Sequence, residues 1–419
     1  MSTLSYDCLV LGAGPAGCAT ATILAQHGHS VLMVERELFP RYHVGESLIP
    51  FTYAPLQRLG MIDSLRSSSF VRKYSVQFVS SDGQSSQPFY FFNRYDRDTV
   101  AQTWQVLRSE FDTLLMNNAR SHGVTVWEQC EATQLLKNEH HAYYGATVCS
   151  AEHGEHTIHC KMVVDATGRT ALAATTNNWR RRDPQLNKVA VWTYYEGVVR
   201  DDGIDGGATT IALLPNKGWF WYIPQHNNRV SVGVVADGKY LTRGGVKDPV
   251  DIFNREVEQN VWIQQRLSTG RLCDRHWLTS EYTFRSQHCA DDGLILVGDA
   301  FGFLDPVFSS GLLLALKSGV LAADAIDVAL KRQNVSADQF TAYGETLCRS
   351  IENMRKLIYA FYDDNVSFGT LTQGNPQLSD MLTDCLSGDV DKDFSSLFEA
   401  LSKYTIIPDE LPYGFVKNK

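Results

Sequence analysis

The segment Tyr6–Glu35, YDCLVLGAGPAGCATATILAQHGHSVLMVE, has the order strand, glycine turn, helix, strand. The apolar run from Cys8 to Leu11 is typical of a parallel strand that is buried on both faces. After the turn, apolar residues recur at helical spacing, so one face of the helix packs back on the sheet. This order predicts a βαβ unit of the Rossmann type.

Three glycines in the turn, Gly12, Gly14 and Gly17, complete the spacing G-x-G-x-x-G. The first permits a tight turn, the second lets the backbone approach a pyrophosphate, and the third lets the helix pack closely on the strand. Glu35 closes the second strand, where a carboxylate can accept both hydroxyl protons of an adenosine ribose. The turn, the helix start and this acid are therefore predicted to bind a dinucleotide, through Gly12, Ala13, Gly14, Pro15, Ala16, Gly17 and Glu35.

Later segments favour FAD over NAD as that dinucleotide. A polar, basic loop, residues 36–50, follows Glu35 and opens into a helix near Pro50, where a simple nicotinamide fold would have its third strand. Two further apolar strands end in small and acidic residues, MVVDATGR at 162–169 and LILVGDA at 294–300. Asp299 at the end of the second can hold a flavin ribityl chain, and a following helix can direct its N-terminus at the isoalloxazine carbonyl. A helix N-cap is the alternative role for Asp299.

Composition indicates a packed globular enzyme of two or three domains, because 419 residues exceed the usual domain of about 150. The net charge of −9 gives no reason to expect binding to nucleic acid. Nine cysteines without a C-x-x-C pair indicate a reducing compartment, and no Cys/His cluster has metal-ligand spacing. There is no basic N-terminal region with a cleavage site and no apolar run of about 18 residues, so we expect a cytoplasmic protein without a membrane span.

The middle of the chain has the alternation and turn residues of an antiparallel sheet. Strand-like runs cover 189–195, 209–214, 218–224 and 230–235, and Asp-Gly, Gly-Gly and Asn-Asn pairs separate them. The third run contains the string W-x-W-x-I-P, in which Trp219 and Trp221 would stand side by side on one face. A strand buried in a sheet core is the alternative explanation of this pair.

These segments resemble the two-domain FAD-dependent monooxygenase-like fold of para-hydroxybenzoate hydroxylase and its relatives, over residues 5–335. The resemblance implies an α/β protein with a Rossmann-type FAD-binding domain assembled from residues 1–75, 101–175 and 275–335. Residues 76–100 and 176–274 would form a substrate-binding domain built on an antiparallel sheet. Residues 336–419 are expected to be a helical C-terminal region that covers the substrate domain, with an apolar helix at 349–362 and a break near 373–378.

Within that superfamily the chain is similar to the flavin-dependent halogenases. It carries their W-x-W-x-I-P signature and a second one, F-x-x-P-x-x-S-x-G, formed by Phe303, Pro306, Ser309 and Gly311. The resemblance implies that Trp219 and Trp221 form a wall between flavin and substrate. Chloride or bromide, bound by backbone amides at Ser310 and Gly311, would then carry the oxidising equivalents across as hypohalous acid.

The halogenase resemblance also implies a lysine next to the substrate, in the pattern F-x-x-K-x-G-x-x-F. Residues 70–78, FVRKYSVQF, match this pattern with Lys73, although Ser75 replaces the glycine. An ammonium can polarise hypohalous acid, whereas a neutral amine can form a haloamine; desolvation lowers the pKa of a lysine and favours the second route. A surface lysine between strands is the alternative reading of Lys73.

The resemblance further implies that Arg41 and Ser47 contact the flavin and its phosphates, and that Arg108 reaches an FAD phosphate. The tryptophan-chlorinating branch has a glutamate just before the signature serine, and this chain has Phe308 there. That difference favours the phenol- and pyrrole-chlorinating branch, acting on an aromatic small molecule or on a substrate tethered to a carrier protein.

Three functions remain open from the sequence. The leading one is a halogenase that receives FADH2 from a separate flavin reductase, because no second nicotinamide-binding fingerprint is evident. The second is a hydroxylase or a reductase similar to geranylgeranyl reductases, in which the tryptophan strand only lines a substrate cavity. The third is a non-catalytic FAD-binding homologue, which retention of Lys73 and the Ser-Ser-Gly turn disfavours.

Overall fold

The computed structural model describes residues 3–152, 154–215, 218–280 and 283–417. The outer limits of the expected domains, residues 1 and 419, lie outside this part of the chain. Within it, two large sheets lie side by side, and a long cavity runs between them.

The first of these, the central sheet, forms around the predicted βαβ unit. Its middle strand, Thr3–Leu11, runs parallel to Val31–Val34 on one side and to Gly154–Asp165 on the other. Residues Cys8 to Leu11 are fully buried, which explains their continuous apolar run. In space the strands follow the order Phe415–Val416, His288–Asp291, Leu294–Leu296, Gly154–Asp165, Thr3–Leu11, Val31–Val34 and Thr125–Trp127, and Tyr143–Ser150 and Cys130–Lys137 extend the sheet from Gly154–Asp165.

Two helices cross on one face of the central sheet, Pro15–Gln26 and Gly311–Lys331. Their backbones approach closely at Gly319, where an added Cβ would lie 2.5 Å from the Ala16 carbonyl oxygen. A side chain at this position would therefore push the helices apart. The close crossing brings the N-terminus of the long second helix to the same end of the sheet as the glycine turn.

The second, which we call the tryptophan sheet, carries Trp192, Trp219, Trp221 and Trp277. Its strands follow the order Arg271–Leu272, Lys188–Glu196, Arg229–Asp237, Trp219–Pro224, Thr209–Leu213, Ser75–Val79 and Phe89–Tyr90, and Trp277–Ser280 also pairs with Lys188–Glu196. The hairpin at 219–237 turns through Asn227 and Asn228, which both have positive φ, so the predicted Asn-Asn turn is confirmed. Pairing is antiparallel except between Thr209–Leu213 and Ser75–Val79.

Short strands and helices join these sheets. The strand that carries Lys73, Val71–Lys73, pairs with Thr103–Gln105, and a small sheet combines Arg180–Arg182, Phe284–Ser286 and Gly302–Phe303. The α-helices of the described residues are Pro15–Gln26, Tyr53–Arg58, Ile62–Ser67, Arg108–Ser121, Leu172–Thr176, Gly238–Leu241, Pro249–Val257, Val261–Leu267, Gly311–Lys331, Thr341–Tyr362, Phe368–Thr372, Pro376–Ser387 and Ser395–Leu401. None of the helices that the structure describes is long and apolar enough to cross a membrane.

The C-terminal region is helical, and its break at residues 373–375 falls where the sequence predicts one. Its last strand, Phe415–Val416, joins the central sheet beside His288–Asp291. One strand also departs from the expected domain segments. Trp277–Ser280 falls in the segment 275–335, which the sequence analysis assigned to the FAD-binding domain, but it pairs in the tryptophan sheet.

Candidate active site

A cavity of about 830 Å³ opens at the carboxyl ends of the parallel strands and extends to the tryptophan sheet. It brings together most of the residues singled out from the sequence, namely Gly12, Gly14, Pro15, Ala16, Glu35, Arg41, Ser47, Arg108, Trp219, Trp221, Asp299 and Gly311. Ala13, Gly17, Lys73 and Ser310 lie behind this lining. Ligands of open α/β sheets bind at this end of the strands, because the loops there meet the N-termini of the helices.

At one glycine of the turn there is room for a side chain, and at the other two an added Cβ would clash with backbone atoms. Gly12 has a φ of 105°, and an added Cβ would lie 2.4 Å from the Ala166 carbonyl oxygen. At Gly17 an added Cβ would lie 1.9 Å from the Gly12 carbonyl oxygen. Gly14 has an ordinary φ of −71°, and the nearest atom to its added Cβ is Arg41 Nη2 at 3.8 Å. The space in front of Gly14 therefore fits a pyrophosphate that approaches the backbone.

Glu35 holds this turn in place. Its Oε2 accepts a hydrogen bond from the backbone N–H of Ala13 at 2.8 Å, and its Oε1 accepts one from the N–H of Glu37 at 3.0 Å. A carboxylate has about four acceptor sites. Glu35 thus keeps acceptor capacity for ribose hydroxyls at the rim of the cavity.

Two arginines of the site share one buried carboxylate, Asp112, which the sequence analysis did not single out. Arg108 Nε and Nη2 donate to it at 2.8 and 2.9 Å, and Arg41 Nη1 donates at 3.1 Å. Burial opposes ionisation of Asp112, but Arg108 and Arg41 hold its pKa below the usual value. Arg108 also donates to the carbonyls of Val44 and Gly45. Arg108 therefore orders the loop that follows residue 41, and the i,i+4 spacing to Asp112 was the available signal in the sequence.

Asp299 follows the strand Leu294–Leu296 and faces the cavity. Burial raises its pKa to about 6, against the opposing effect of Arg169 and Arg108. Within the described chain its carboxylate makes no hydrogen bond to a helix end, which disfavours the N-cap alternative. It is free to accept hydrogen bonds from a ligand hydroxyl.

The Ser-Ser-Gly turn lies at the start of the helix Gly311–Lys331. Ser309 has a left-handed conformation with a φ of 56°, and both Ser309 and Gly311 line the cavity. No atom lies within 4 Å of an added Cβ at Gly311, and the buried Ser310 hydroxyl has no hydrogen-bond partner among the described residues. Unpaired amides at the N-terminus of a long helix favour an anion or a polar carbonyl.

Tryptophan side chains close the far side of the cavity. Trp219 and Trp221 stand on one face as predicted, with ring centroids 6.1 Å apart, and Trp192 of the neighbouring strand continues the row 6.3 Å from Trp221. Gly233 lies opposite both Trp192 and Trp221 in the sheet, and an added Cβ there would lie 2.2 Å from the Trp221 ring. A glycine inside this strand thus makes room for the row, which sequence reasoning missed.

Lys73 is fully buried, so the surface-lysine alternative is wrong. Its Nζ donates to Ser47 Oγ at 2.8 Å and to the Leu48 carbonyl at 2.9 Å, and it lies 5.5 Å from the centroid of the Phe91 ring. It forms no ion pair within the described residues, and burial lowers its pKa to about 7. Ser47 lines the cavity and Lys73 does not, so the Lys73 amine lies behind the Ser47 hydroxyl as seen from the cavity.

Comparison with known proteins places the chain in a family. The family model of tryptophan halogenases matches residues 7–104 and 92–372. A 1H-pyrrole-2-carbonyl-[peptidyl-carrier protein] chlorinase of Pseudomonas fluorescens is 29% identical over 412 residues, which cover 93% of this chain and 90% of that protein. A brominase of the same substrate from Pseudoalteromonas luteoviolacea is 30% identical, with 92% of each chain covered.

Solved structures give the same result. The flavin-dependent brominase Bmp2 superposes with a TM-score of 0.86 at 28% identity, over 96% of this chain and 99% of the brominase. The fold class is therefore the two-domain flavoprotein fold that the sequence predicts, and the chain belongs to the tryptophan halogenase family of flavin-dependent halogenases.

Proposed function

We propose that this chain uses reduced FAD, dioxygen and a halide to halogenate an electron-rich aromatic ring, with Lys73 as the group that delivers the halogen. The observation that carries the proposal is the pairing of a tryptophan-lined cavity with a buried lysine that has no ion-pair partner among the residues the structure describes. Neither feature is needed to bind FAD. A buried, uncompensated lysine costs stability, and such groups are concentrated at functional sites.

The residues around the cavity fit FAD. The open face of Gly14 would receive the pyrophosphate, Glu35 the ribose, and Asp299 the ribityl chain, with the helix start at Gly311 next to the isoalloxazine carbonyl. Bound in reduced form, FAD would supply the electrons that reduce dioxygen, and the reduced oxygen species would be the oxidant that takes two electrons from the halide. No second nucleotide fingerprint is evident in the sequence, so we infer that a separate flavin reductase delivers FADH2.

The chain's own residues would then control where the halogen goes. The amides of Ser310 and Gly311 provide a positive helix end for chloride or bromide beside the flavin. Trp219 and Trp221 bar an aromatic substrate from the flavin, so only a species as small as hypohalous acid passes to Lys73.

Lys73 has two donors engaged by Ser47 and Leu48, which leaves one position of its nitrogen for the halogen carrier. With a pKa of about 7, the amine is available both as an ammonium that polarises hypohalous acid and as a neutral nucleophile.

We further propose that the substrate is a pyrrole, and first of all a pyrrolyl carbonyl group on a carrier protein. Phe308 occupies the position of the acid in the tryptophan-chlorinating branch, and it packs against Phe361 with ring centroids 5.6 Å apart. The two relatives above act on 1H-pyrrole-2-carbonyl groups of peptidyl-carrier proteins, and the chain aligns with nearly their whole length. An electron-rich ring reacts without an acid to assist the electrophile.

Halide dependence distinguishes this function from a hydroxylase or reductase of the same fold. The chain would be incubated with FAD, a flavin reductase, NADH and dioxygen, together with carrier-bound pyrrole-2-carboxylate, free pyrroles or phenols, and with chloride, bromide or no halide. We expect halogenated pyrrole only when halide is present, and hydrogen peroxide without product when it is omitted. Hydroxylated product without halide, or reduction of a double bond, would overturn the proposal.

Lys73→Ala tests the relay within the same assay. We expect the variant to bind FAD and release peroxide at wild-type rates but to lose halogenation by about 100-fold or more, because the delivering group is absent. Lys239→Ala, at an exposed lysine, serves as the control and should halogenate normally. Halogenation by Lys73→Ala within a few-fold of wild type would show that another group delivers the halogen.

A further inference from the structure

Two chains of hydrogen bonds begin at indole N–H groups of the tryptophan row. Trp192 Nε1 donates to the Tyr42 hydroxyl at 2.6 Å, and the Tyr42 and Tyr194 hydroxyls are 3.0 Å apart. Trp221 Nε1 donates to Ser231 Oγ at 3.0 Å. The first chain ends at the carboxyl group of Glu46, and the second ends at the Ser231 hydroxyl beside it.

The direction of both chains follows from the indoles. An indole N–H can only donate, so Tyr42 accepts from Trp192. The single hydroxyl hydrogen of Tyr194 is directed at Glu46, so Tyr42 is the donor to Tyr194. The Tyr194 hydroxyl then donates to Glu46 Oε1 at 2.6 Å. The Ser231 hydroxyl, which accepts from Trp221, lies beside the same carboxyl group and acts to lower its pKa. Glu46 is therefore the terminal acceptor of the chain from Trp192, and the hydroxyl that holds Trp221 is next to it.

Glu46 occupies a position in which a structural carboxylate is expensive. Its residue is 1% exposed, it lines the cavity, and it makes no ion pair within the described residues. Burial raises its pKa, while Tyr194 and Ser231 act in the opposite direction. An apolar side chain of similar size, such as leucine, would cost less free energy to bury at this position. A specific role for the two acceptor oxygens therefore explains the presence of Glu46 better.

We propose that Glu46 is the positioning residue of the tryptophan wall, which fixes the orientations of Trp192 and Trp221 through Tyr42–Tyr194 and Ser231. The neighbouring residue, Ser47, accepts the hydrogen bond from Lys73 Nζ. Two consecutive residues, Glu46 and Ser47, would thus position the tryptophan wall and the delivering lysine relative to each other. This inference deepens the proposed function and rests on it for the role of the wall, but the ring orientations can be tested without turnover.

The test compares Glu46→Gln with Glu46→Leu. Glutamine keeps an acceptor oxygen where Tyr194 donates, whereas leucine fills the space without accepting. We expect the near-ultraviolet circular dichroism of the FAD-free protein, which reports fixed indole environments, to remain as in wild type for Glu46→Gln and to weaken for Glu46→Leu. In turnover, Glu46→Leu should lower the ratio of halogenated product to peroxide by about tenfold, because misplaced groups lose reaction geometry. Glu46→Gln should restore that ratio.

Variants that each interrupt one of the two hydrogen-bond chains keep the test informative if Glu46→Leu does not fold. Tyr194→Phe should alter the indole signal of Trp192, and Ser231→Ala that of Trp221. The control is Glu196→Leu, at a half-exposed carboxylate on the strand that carries Trp192 and Tyr194.

The possible outcomes separate the two proposals. An unchanged indole signal in Glu46→Leu, or in both Tyr194→Phe and Ser231→Ala, would overturn the positioning role whether or not the chain halogenates. Failure of Glu46→Gln to restore the wild-type signal would also overturn it and would indicate a need for the charge. Weakened indole signals in Glu46→Leu, together with no halide-dependent product from the wild-type protein, would support the positioning role and contradict the proposed function.

Discussion

Gly14 shows how one residue can matter to a ligand and not to the fold. Its φ of −71° suits any residue, and an added Cβ would meet no atom closer than 3.8 Å. Gly17, three residues later, has no such freedom, because the Gly12 carbonyl occupies the position of its missing Cβ. The same motif therefore contains a binding position and a packing position.

We expect Gly14→Val to leave the free energy of unfolding of the FAD-free protein within about 0.5 kcal/mol of wild type. Its affinity for FAD should fall by about 100-fold or more, because the side chain fills the space for the pyrophosphate. Gly17→Val should instead destabilise the protein by about 3 kcal/mol or more through overpacking. Urea unfolding and fluorescence titration with FAD measure both quantities. Normal FAD affinity in Gly14→Val would show that the nucleotide binds elsewhere.

Lys73 should also leave a signature in the pH dependence of stability. Its pKa is about 7 in the folded protein and near 10.5 when exposed, so between these values the unfolded chain binds more protons. The penalty of burying this lysine is full below about pH 7 and disappears as the pH rises through the unfolded pKa.

Urea unfolding at about pH 7 and about pH 10 should show that wild type gains stability with pH relative to Lys73→Met, since methionine carries no charge to desolvate. FAD-free protein is used so that ligand binding does not contribute. Parallel pH profiles for the two proteins would mean that the lysine is not desolvated in solution.

At the level of elements, the helix Thr341–Tyr362 ends against the tryptophan row. The Tyr362 hydroxyl accepts from Trp219 Nε1 at 2.8 Å and donates to Asp305 Oδ2 at 2.9 Å. Asp305 in turn caps the turn before the Ser-Ser-Gly segment by accepting from the N–H of Val307. One hydroxyl thus joins a C-terminal helix, the wall and the expected halide turn.

Tyr362→Phe should destabilise the protein by about 1–3 kcal/mol, because the Trp219 N–H and the Asp305 carboxyl each lose a buried partner. Thermal or urea unfolding measures the loss, and near-ultraviolet circular dichroism should report a change around Trp219. Tyr404→Phe removes a hydroxyl from a half-exposed ring and should change neither quantity. Equal stability of the Tyr362 variant and wild type would show that water replaces the missing hydroxyl.

At the scale of the whole molecule, hydrogen bonds attach the C-terminal region to the segment at Arg94 and Tyr95, which follows the last strand of the tryptophan sheet. Asp384, on the helix Pro376–Ser387, accepts from Arg94 Nε and Nη2 at 2.8 and 2.9 Å and from the Tyr95 hydroxyl. These two residues follow Phe91, whose ring covers Lys73. Burial opposes ionisation of Asp384, but hydrogen bonds from Arg94, Lys392 and Tyr95 lower its pKa to about 2. The ion pair between Arg94 and Asp384 therefore weakens only as the pH falls toward that value.

Asp384→Asn should loosen this attachment without unfolding the chain. We expect faster hydrogen exchange in residues 89–97 and 376–387 and unchanged exchange in the strands of the central sheet, because the contact is local. Asp380→Asn, on the same helix and near the same arginine but half-exposed, should have little effect, as surface ion pairs contribute about 0–1 kcal/mol. Unchanged exchange in Asp384→Asn would show that apolar packing alone holds the helix.

The sequence by itself determined the features that depend on neighbouring residues. The glycine spacing, the strand alternation, the Asn-Asn hairpin and the Trp219–Trp221 pair are local patterns, since backbone geometry decides which side chains share a face. They predicted the βαβ unit and the antiparallel sheet, and most of the residues that the sequence analysis singled out line the cavity.

Only the tertiary structure decided the partners that arrive from distant parts of the chain. Trp192 completes the row begun by Trp221, and Tyr194 brings its hydroxyl to Glu46 across 148 positions of sequence. The burial of Lys73 has the same origin, since the atoms that exclude water from its amine come from separate segments at Ser47 and Phe91. A lowered pKa depends on this surrounding volume, and no spacing of residues along the chain encodes it.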